Sequence, residues 1–167
     1  YARSGHWISD VSPLLALFPQ GGPQQLRFSS SYSYANTLTL HLSNSEKGGT
    51  PSELHPLFTG GSFNQDYNSR YSPVEIQIPA DMERVELFAV ISGHGWGAEL
   101  DNCAEFCNHT HHFEVNGTEF TKEHTFVGIN DGCIEQIENG TVPNQYGTWP
   151  YGRGGWCPGK QVDPWIV

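Results

Sequence analysis

Along much of this chain apolar residues alternate with polar ones, with a period of two rather than three or four. Val74, Ile76 and Ile78 alternate with Glu75 and Gln77, the pattern of a strand with one face buried and the other solvated. Val85, Leu87, Ala89 and Ile91 repeat it with Phe88 and Val90 on the opposite face, which predicts a strand buried on both sides. Leu26 and Phe28 alternate as well, as do Leu38, Leu40 and Leu42. His111, Phe113 and Val115 run into Asn116-Gly117, a two-residue hairpin turn, and Glu119 to Phe126 can return as the partner strand. Helical periodicity is scarce. Ser9 to Leu17 can hold a turn or two, opened by Ser12-Pro13 and closed by Pro19, Gly21, Gly22 and Pro23. Long loops fill the intervals 43–72, 93–102 and 130–159. The pattern predicts an all-β fold, a jelly-roll β-sandwich with elaborate loops.

Composition narrows the class. The 167 residues carry 8 Lys+Arg against 18 Asp+Glu, a formal charge of −10, with 19 Gly and 11 Pro. Eight scattered cations cannot form the stripe that displaces counterions from a nucleic acid, so no nucleic-acid partner is expected. No apolar run approaches the roughly 20 residues of a membrane span. Five Trp, seven Tyr and nine Phe argue against disorder. Cys103, Cys107, Cys133 and Cys157 form an even set, which suggests two disulfides and an oxidising compartment, with a zinc site as the alternative. Three Asn-x-Thr sequons, at Asn108, Asn116 and Asn139, point the same way as candidate glycosylation sites. Tyr1 to Ser4 lacks an apolar leader, and Val162 to Val167 reads like the opening of a strand. The expectation is a secreted, extracellular protein whose jelly roll is incomplete at both ends.

The unusual chemistry lies after residue 92. Ser92-Gly93-His94-Gly95-Trp96-Gly97 closes the strongest strand pattern with glycines that let the backbone turn sharply and approach a ligand. Cys103-Ala104-Glu105-Phe106-Cys107 follows. A disulfide closed across three residues would make a tight ring that fixes the Glu105 side chain, and a carboxylate held beside aromatic rings suits acid/base or sugar-binding work. The alternative leaves Glu105 pointing to solvent. In His109-Thr110-His111-His112, His109 and His111 share one face of a strand and could hold a metal, with His94 as a third ligand. That face continues into Phe113 and Val115, so two buried, hydrogen-bonded core histidines are the competing reading. Trp149 to Gly159 sets Arg153 among three aromatic residues, a loop that could stack on sugar rings while Arg153 donates a bidentate bond to a carboxylate or carbonyl. The competing reading is an Arg that packs on Trp and rigidifies the loop.

The order Ile91-Ser92-Gly93-His94-Gly95-Trp96-Gly97, Cys103-Ala104-Glu105-Phe106-Cys107, Thr110-His111, Cys133, then Gly154-Gly155-Trp156-Cys157-Pro158-Gly159 resembles the C-terminal lobe of the peptide-N-glycosidase F family. That family cleaves the amide between Asn and the first N-acetylglucosamine of an N-glycan. It is built from two jelly rolls, a fold it shares with copper-dependent peptidylglycine hydroxylating monooxygenases. The resemblance covers roughly 73–167 and leaves 1–72 as N-terminal strands and loops at a lobe junction. It implies disulfides Cys103–Cys107 and Cys133–Cys157, catalytic-site positions for Glu105 and Arg153, and a glycan-binding role for Trp96, Trp156 and His94. The family's histidine in the Gly-rich loop stands two positions away from His94. Its principal catalytic Asp lies in a Cys-flanked motif of the N-terminal lobe, for which this chain has no cysteines to spare. A second family Glu has its best counterpart in Ser29 to Tyr34, which holds no carboxylate.

Three functions follow. The first is a glycosylasparagine amide hydrolase acting on N-glycans or glycoproteins, inactive as this chain alone and completed by other chains or segments. The second is a non-catalytic module of an extracellular assembly. The third is copper chemistry at His109 and His111, for which the downstream Met ligand of the monooxygenases has no counterpart, since Met82 is the only methionine and lies upstream. No cofactor is expected for the first two.

Overall fold

The structure is a computed structural model that describes residues 4–18, 21–29, 35–43, 49–95, 104–143 and 147–167. The chain divides into two compact units, Asp10–Pro56 and a larger one made of Tyr1–Ser9 with Leu57–Val167.

The hairpin is where local sequence decides most. Strand β2 (His111–Val115) pairs antiparallel with β3 (Thr118–Lys122), with Phe113 opposite Phe120 and Val115 opposite Thr118. Asn116 and Gly117 take φ of 49° and 80°, the two successive positive values that a type I′ turn requires. A second antiparallel pair joins β1 (Phe88–Ala89) to β4 (Trp165–Ile166), and reciprocal backbone bonds between Leu87 and Val167 extend it. The Trp165 ring lies 5.2 Å from Phe113, so the two small sheets touch through aromatic packing. The architecture is therefore of β type, antiparallel and mostly without α-helix among the described residues.

Other alternating segments do not pair. Val74 to Ile78 forms no strand and has no ladder partner among the described residues, and Val74 and Ile78 stay exposed. Leu26, Phe28, Leu38, Leu40 and Leu42 are exposed in the same way. The strand expected over 85–91 narrows to Phe88–Ala89, and Val85 and Val90 are exposed rather than buried on both faces. Alternation announces an apolar face, but a strand also needs an edge to bond to. Within Asp10–Pro56, Ser12–Leu17 forms the short helical segment that Ser12-Pro13 announces, as a 3₁₀ helix with Pro in its first turn.

The buried centre of the larger unit is built from loops. Cys133 and Cys157 form a disulfide and are 0% and 1% exposed. With a separation of 24 residues, loop closure alone is worth about 3.5 kcal/mol in the chain-entropy picture. Backbone bonds from Cys133 N to Pro150 O and from Val142 N to Pro158 O, each 2.8 Å, lace the two sides of this loop together. The Trp7 indole donates to Gly159 O at 2.7 Å and fastens the 4–9 segment to the loop's end. On the other side, Phe63 rests 4.3 Å from the His109 ring and 4.6 Å from Tyr67, tying the 57–72 segment to the approach to β2.

Backbone meets backbone where this loop crosses 126–129. Gly152 N donates to Ile129 O at 2.8 Å, and a Cβ on Gly152 would sit 1.5 Å from Phe126 O. No rotamer can relieve that overlap, because the obstructing atom is main chain. Gly152→Ala is expected to destabilise the larger unit by about 3 kcal/mol or more, read as a drop in the urea midpoint. An unchanged midpoint would show that the two segments do not approach this closely.

Candidate functional site

Three loops converge on one carboxylate. Glu105 lies on a short 3₁₀ turn, Ala104–Phe106. Its backbone N–H donates to Gly95 O at 3.2 Å, and Gly95 N–H returns a bond to Glu105 Oε2 at 3.1 Å. Gly154 N–H donates to Glu105 O at 2.7 Å, and Gly93 N–H to Gly154 O at 2.6 Å. The glycines do distinct work. Gly95 has φ of +87°, and Gly155, at +83°, would drive a Cβ to 2.4 Å from Ile91 O. Here the Gly-rich sequence is what lets loop 93–95 and loop 153–155 close on the turn between them.

The second loop delivers Arg153. Its Nη1 donates to Glu105 Oε1 at 2.9 Å, and its Nη2 reaches both Thr148 O and Thr148 Oγ1 at 3.0 Å. The guanidinium lies 5.0 Å from the Phe106 ring centroid and 4.6 Å from that of Trp156. These are cation–π distances on two rings. The Arg153 and Glu105 side chains are 1% and 10% exposed, so the charges are almost wholly removed from water. Burial pushes the Arg153 pKa down and the Glu105 charge opposes it.

Trp156 carries the arrangement outward. Its indole N–H donates to Gly93 O, and the His94 ring lies against it at 4.5 Å, with His94 Nε2 2.9 Å from Ser92 Oγ. Four of the expected site residues, Glu105, Arg153, Trp156 and His94, therefore form one cluster. Trp96 and Cys103 lie outside the described residues, as do Ser30 to Tyr34. Cys107 is disulfide-bonded, and the pairing expected for it with Cys103 falls on that boundary.

Asn108, Asn116 and Asn139 are all exposed, the first directly after Cys107, the second at the hairpin tip and the third hydrogen-bonded to Gln136 Oε1 at 3.0 Å. Thr141 of the third sequon is 3% exposed.

The histidines part company. His94 stays with Trp156, while His109 packs on Phe63 and His111 stands edge-on to His124 at 5.8 Å. Among the described residues no three His, Cys, Asp or Glu side chains gather into a metal-holding group. His124 went unnoticed in the sequence, although it fills the space beside Gly155, where a Cβ would meet its Cε1 at 2.7 Å. Phe106 and Thr148 were missed as partners of Arg153. Phe106 was within reach, since it adjoins Glu105 in the same tight turn, whereas nothing local marks Thr148.

Fold and site together define a β-type lobe with a loop-built, disulfide-pinned centre and a buried carboxylate–guanidinium pair beneath an aromatic face. The family model for peptide-N-glycosidase F, C terminal, matches residues 62–167, and the chain belongs to that family. Over 91 residues it is 35% identical to peptide-N(4)-(N-acetyl-beta-D-glucosaminyl)asparagine amidase F of Elizabethkingia miricola, a match covering 52% of this chain and 24% of that protein. The chain thus spans about a quarter of the length of the curated relative it matches. No solved structure matches it.

Two predictions follow from the site's electrostatics. Arg153→Met leaves Glu105 buried without its partner and is expected to cost about 3–5 kcal/mol of stability, whereas adding Glu105→Gln recovers part of that loss. A double-variant cycle in urea reads the coupling, and additive losses would show that the two charges do not act as a pair. The second prediction concerns pH. Burial, then the charges of His111, Lys122 and His109, push the His124 pKa from 6.5 down to about 4. Above pH ~6.5 the group is neutral in folded and unfolded chains alike and contributes no slope. As pH falls from ~6.5 towards ~4 the unfolded chain takes up the proton first, so stability falls by up to about 3 kcal/mol. His111, lowered by burial and by His109 and His112, adds in the same direction. His124→Gln is expected to flatten that part of the stability–pH curve, and an unchanged slope would refute the assignment.

Proposed function

We propose that this chain is a glycan-facing lobe of a secreted peptide-N-glycosidase F-type protein, in which Glu105, Arg153, Trp156 and His94 meet the core of an N-linked glycan. The observation that carries the reading is the buried Glu105–Arg153 pair held by glycine loops under the Trp156–His94 face. Such a site is preorganised: its polar groups are fixed before a ligand arrives, and its aromatic rings offer a flat apolar surface to a sugar. The jelly-roll sandwich expected from the strand pattern belongs to the same proposal.

In the complete protein the chemistry would be hydrolysis of the amide that joins Asn to the first sugar. Water adds to the carbonyl carbon, the glycosylamine leaves, and Asn becomes Asp. A step of that kind needs a group to take the water's proton and another to protonate the departing nitrogen. Each Glu105 oxygen already accepts a bond, from Arg153 or from the Gly95 amide, which suits a carboxylate that orients a water against the sugar better than one that shuttles protons. The same observation favours the second reading, a lobe that binds glycans without cleaving them.

The test uses the full-length protein with a denatured N-glycoprotein and with an oligosaccharide built on N,N′-diacetylchitobiose. Hydrolysis appears as glycan release with conversion of Asn to Asp by mass spectrometry. Binding without release selects the second reading. In either case Glu105→Gln is expected to weaken affinity or turnover at least about tenfold. Neither release nor binding by the intact protein would remove both readings.

A further inference from the structure

Behind the ion pair lies a cavity that the glycan reading does not use. It has a volume of about 240 Å³ and is lined by Phe106, Gly128, Ile129, Asn130, Thr148, Tyr151 and Gly152. Its walls are shared with the site. Phe106 carries Arg153 on its ring, and Thr148 accepts the Arg153 Nη2 bonds. Tyr151 meets Phe106 edge to face at 6.1 Å, and Tyr151 and Ile129 are each 42% exposed at the mouth. The floor is flat because Gly128 and Gly152 bring only backbone to it, joined by the Gly128 N to Gly152 O bond at 3.3 Å.

The lining decides what fits. It contains no carboxylate, ammonium, guanidinium or imidazole, so a charged ligand would lose its hydration without compensation. A sugar ring fits poorly as well. It carries hydroxyls around its edge, and against them the lining sets only the Asn130 amide, the Tyr151 hydroxyl and a Thr148 hydroxyl whose oxygen already accepts from Arg153. Buried hydroxyls without partners are costly, whereas an apolar group between Phe106, Ile129 and Tyr151 leaves nothing unmet. The size suits one large aliphatic or aromatic side chain.

We propose that this cavity receives an apolar side chain of the polypeptide beside the glycosylated Asn, so that the lobe reads the protein part of a glycoprotein as well as its sugar. The proposal rests on the glycan reading of the adjoining site, with which the cavity shares Phe106 and Thr148. Tyr151 and Ile129 select the peptide, and the ion pair keeps its role towards the sugar.

The experiment compares three probes on the full-length protein by equilibrium fluorescence titration: a chitobiose-cored oligosaccharide, an N-glycopeptide with Phe next to the glycosylated Asn, and the same glycopeptide with Ser there. The Phe glycopeptide is expected to bind roughly tenfold or more tighter than the Ser one. Tyr151→Ser, and separately Ile129→Arg, should erase that difference and leave the oligosaccharide affinity unchanged. Both side chains are half exposed, and far-UV circular dichroism with the urea midpoint verifies that each variant is folded. Equal binding of the two glycopeptides by the wild-type protein overturns the proposal, as does no binding of either. A variant that weakens the free oligosaccharide also overturns it, because the cavity is then a sugar subsite. If the oligosaccharide fails to bind while the Phe preference persists and both variants abolish it, the glycan reading falls and the peptide cavity stands.

Discussion

A guanidinium that is 1% exposed must be satisfied by the protein around it, and the Glu105–Arg153 pair sets the terms for everything nearby. Removing a charge from water costs several kcal/mol even after the protein relaxes, so a buried pair is tolerable only when most of its polar atoms find partners. Here Glu105 accepts one bond on each oxygen, Arg153 donates through both terminal nitrogens, and its guanidinium lies over the Phe106 and Trp156 rings. The Arg153 Nε remains buried without a hydrogen-bond partner among the described residues, a sign that the pair is held by geometry more than by full saturation. Each partner comes from a different stretch of sequence. Fixing the pair therefore fixes loop 93–95, turn 104–106 and loop 148–156 relative to one another.

That requirement explains why the centre of the larger unit is made of loops. Among the described residues the largest fully buried side chains are Arg153, Cys133 and Cys157 rather than strand-borne Leu or Val. The disulfide closes the long 133–157 excursion, and the glycines at 132, 152 and 155 let its backbone lie directly against 91 and 126. An acidic chain with eight Lys and Arg spends one of them in its interior. A buried cation in such a chain is more than a packing solution, since an apolar residue of similar volume would avoid the desolvation altogether.

The sequence was legible where a feature is local. Asn116-Gly117 set the hairpin because two positive φ angles need those residue types, and Ser12-Pro13 opened a short helix for the same kind of reason. Glu105 and Arg153 stood out because one sits in a Cys-framed turn and the other among aromatic residues. What local reading could not supply was a partner. Val74, Ile76 and Ile78 alternate faithfully, yet no strand among the described residues lies beside them. Thr148 looks like any loop threonine until Arg153 bends back to it across five residues. His109 and His111 are expected on one strand face, but the strand begins only at His111, and what the two rings touch is decided at a distance, by Phe63 from one segment and His124 from another. Periodicity reports which way a side chain points and is silent on what it meets.

The geometry also separates two tasks that the sequence runs together. Glu105 and Arg153 lie in separate motifs, 48 residues apart, and the family resemblance marks both as reactive groups. In the folded chain they are chiefly partners of each other, with their charges opposed and their bonds spent on Gly95 and Thr148. A carboxylate so engaged keeps a fixed direction, because both of its oxygens are held, one by Arg153 and one by the Gly95 amide. On the proposed glycan reading, its value to a ligand would be the field and the hydrogen-bond angle it offers at one constant position, while the Trp156–His94 face would supply the contact area. On that proposed division of labour, this lobe would present a rigid half-site, and proton transfer would belong to whatever group is brought opposite it.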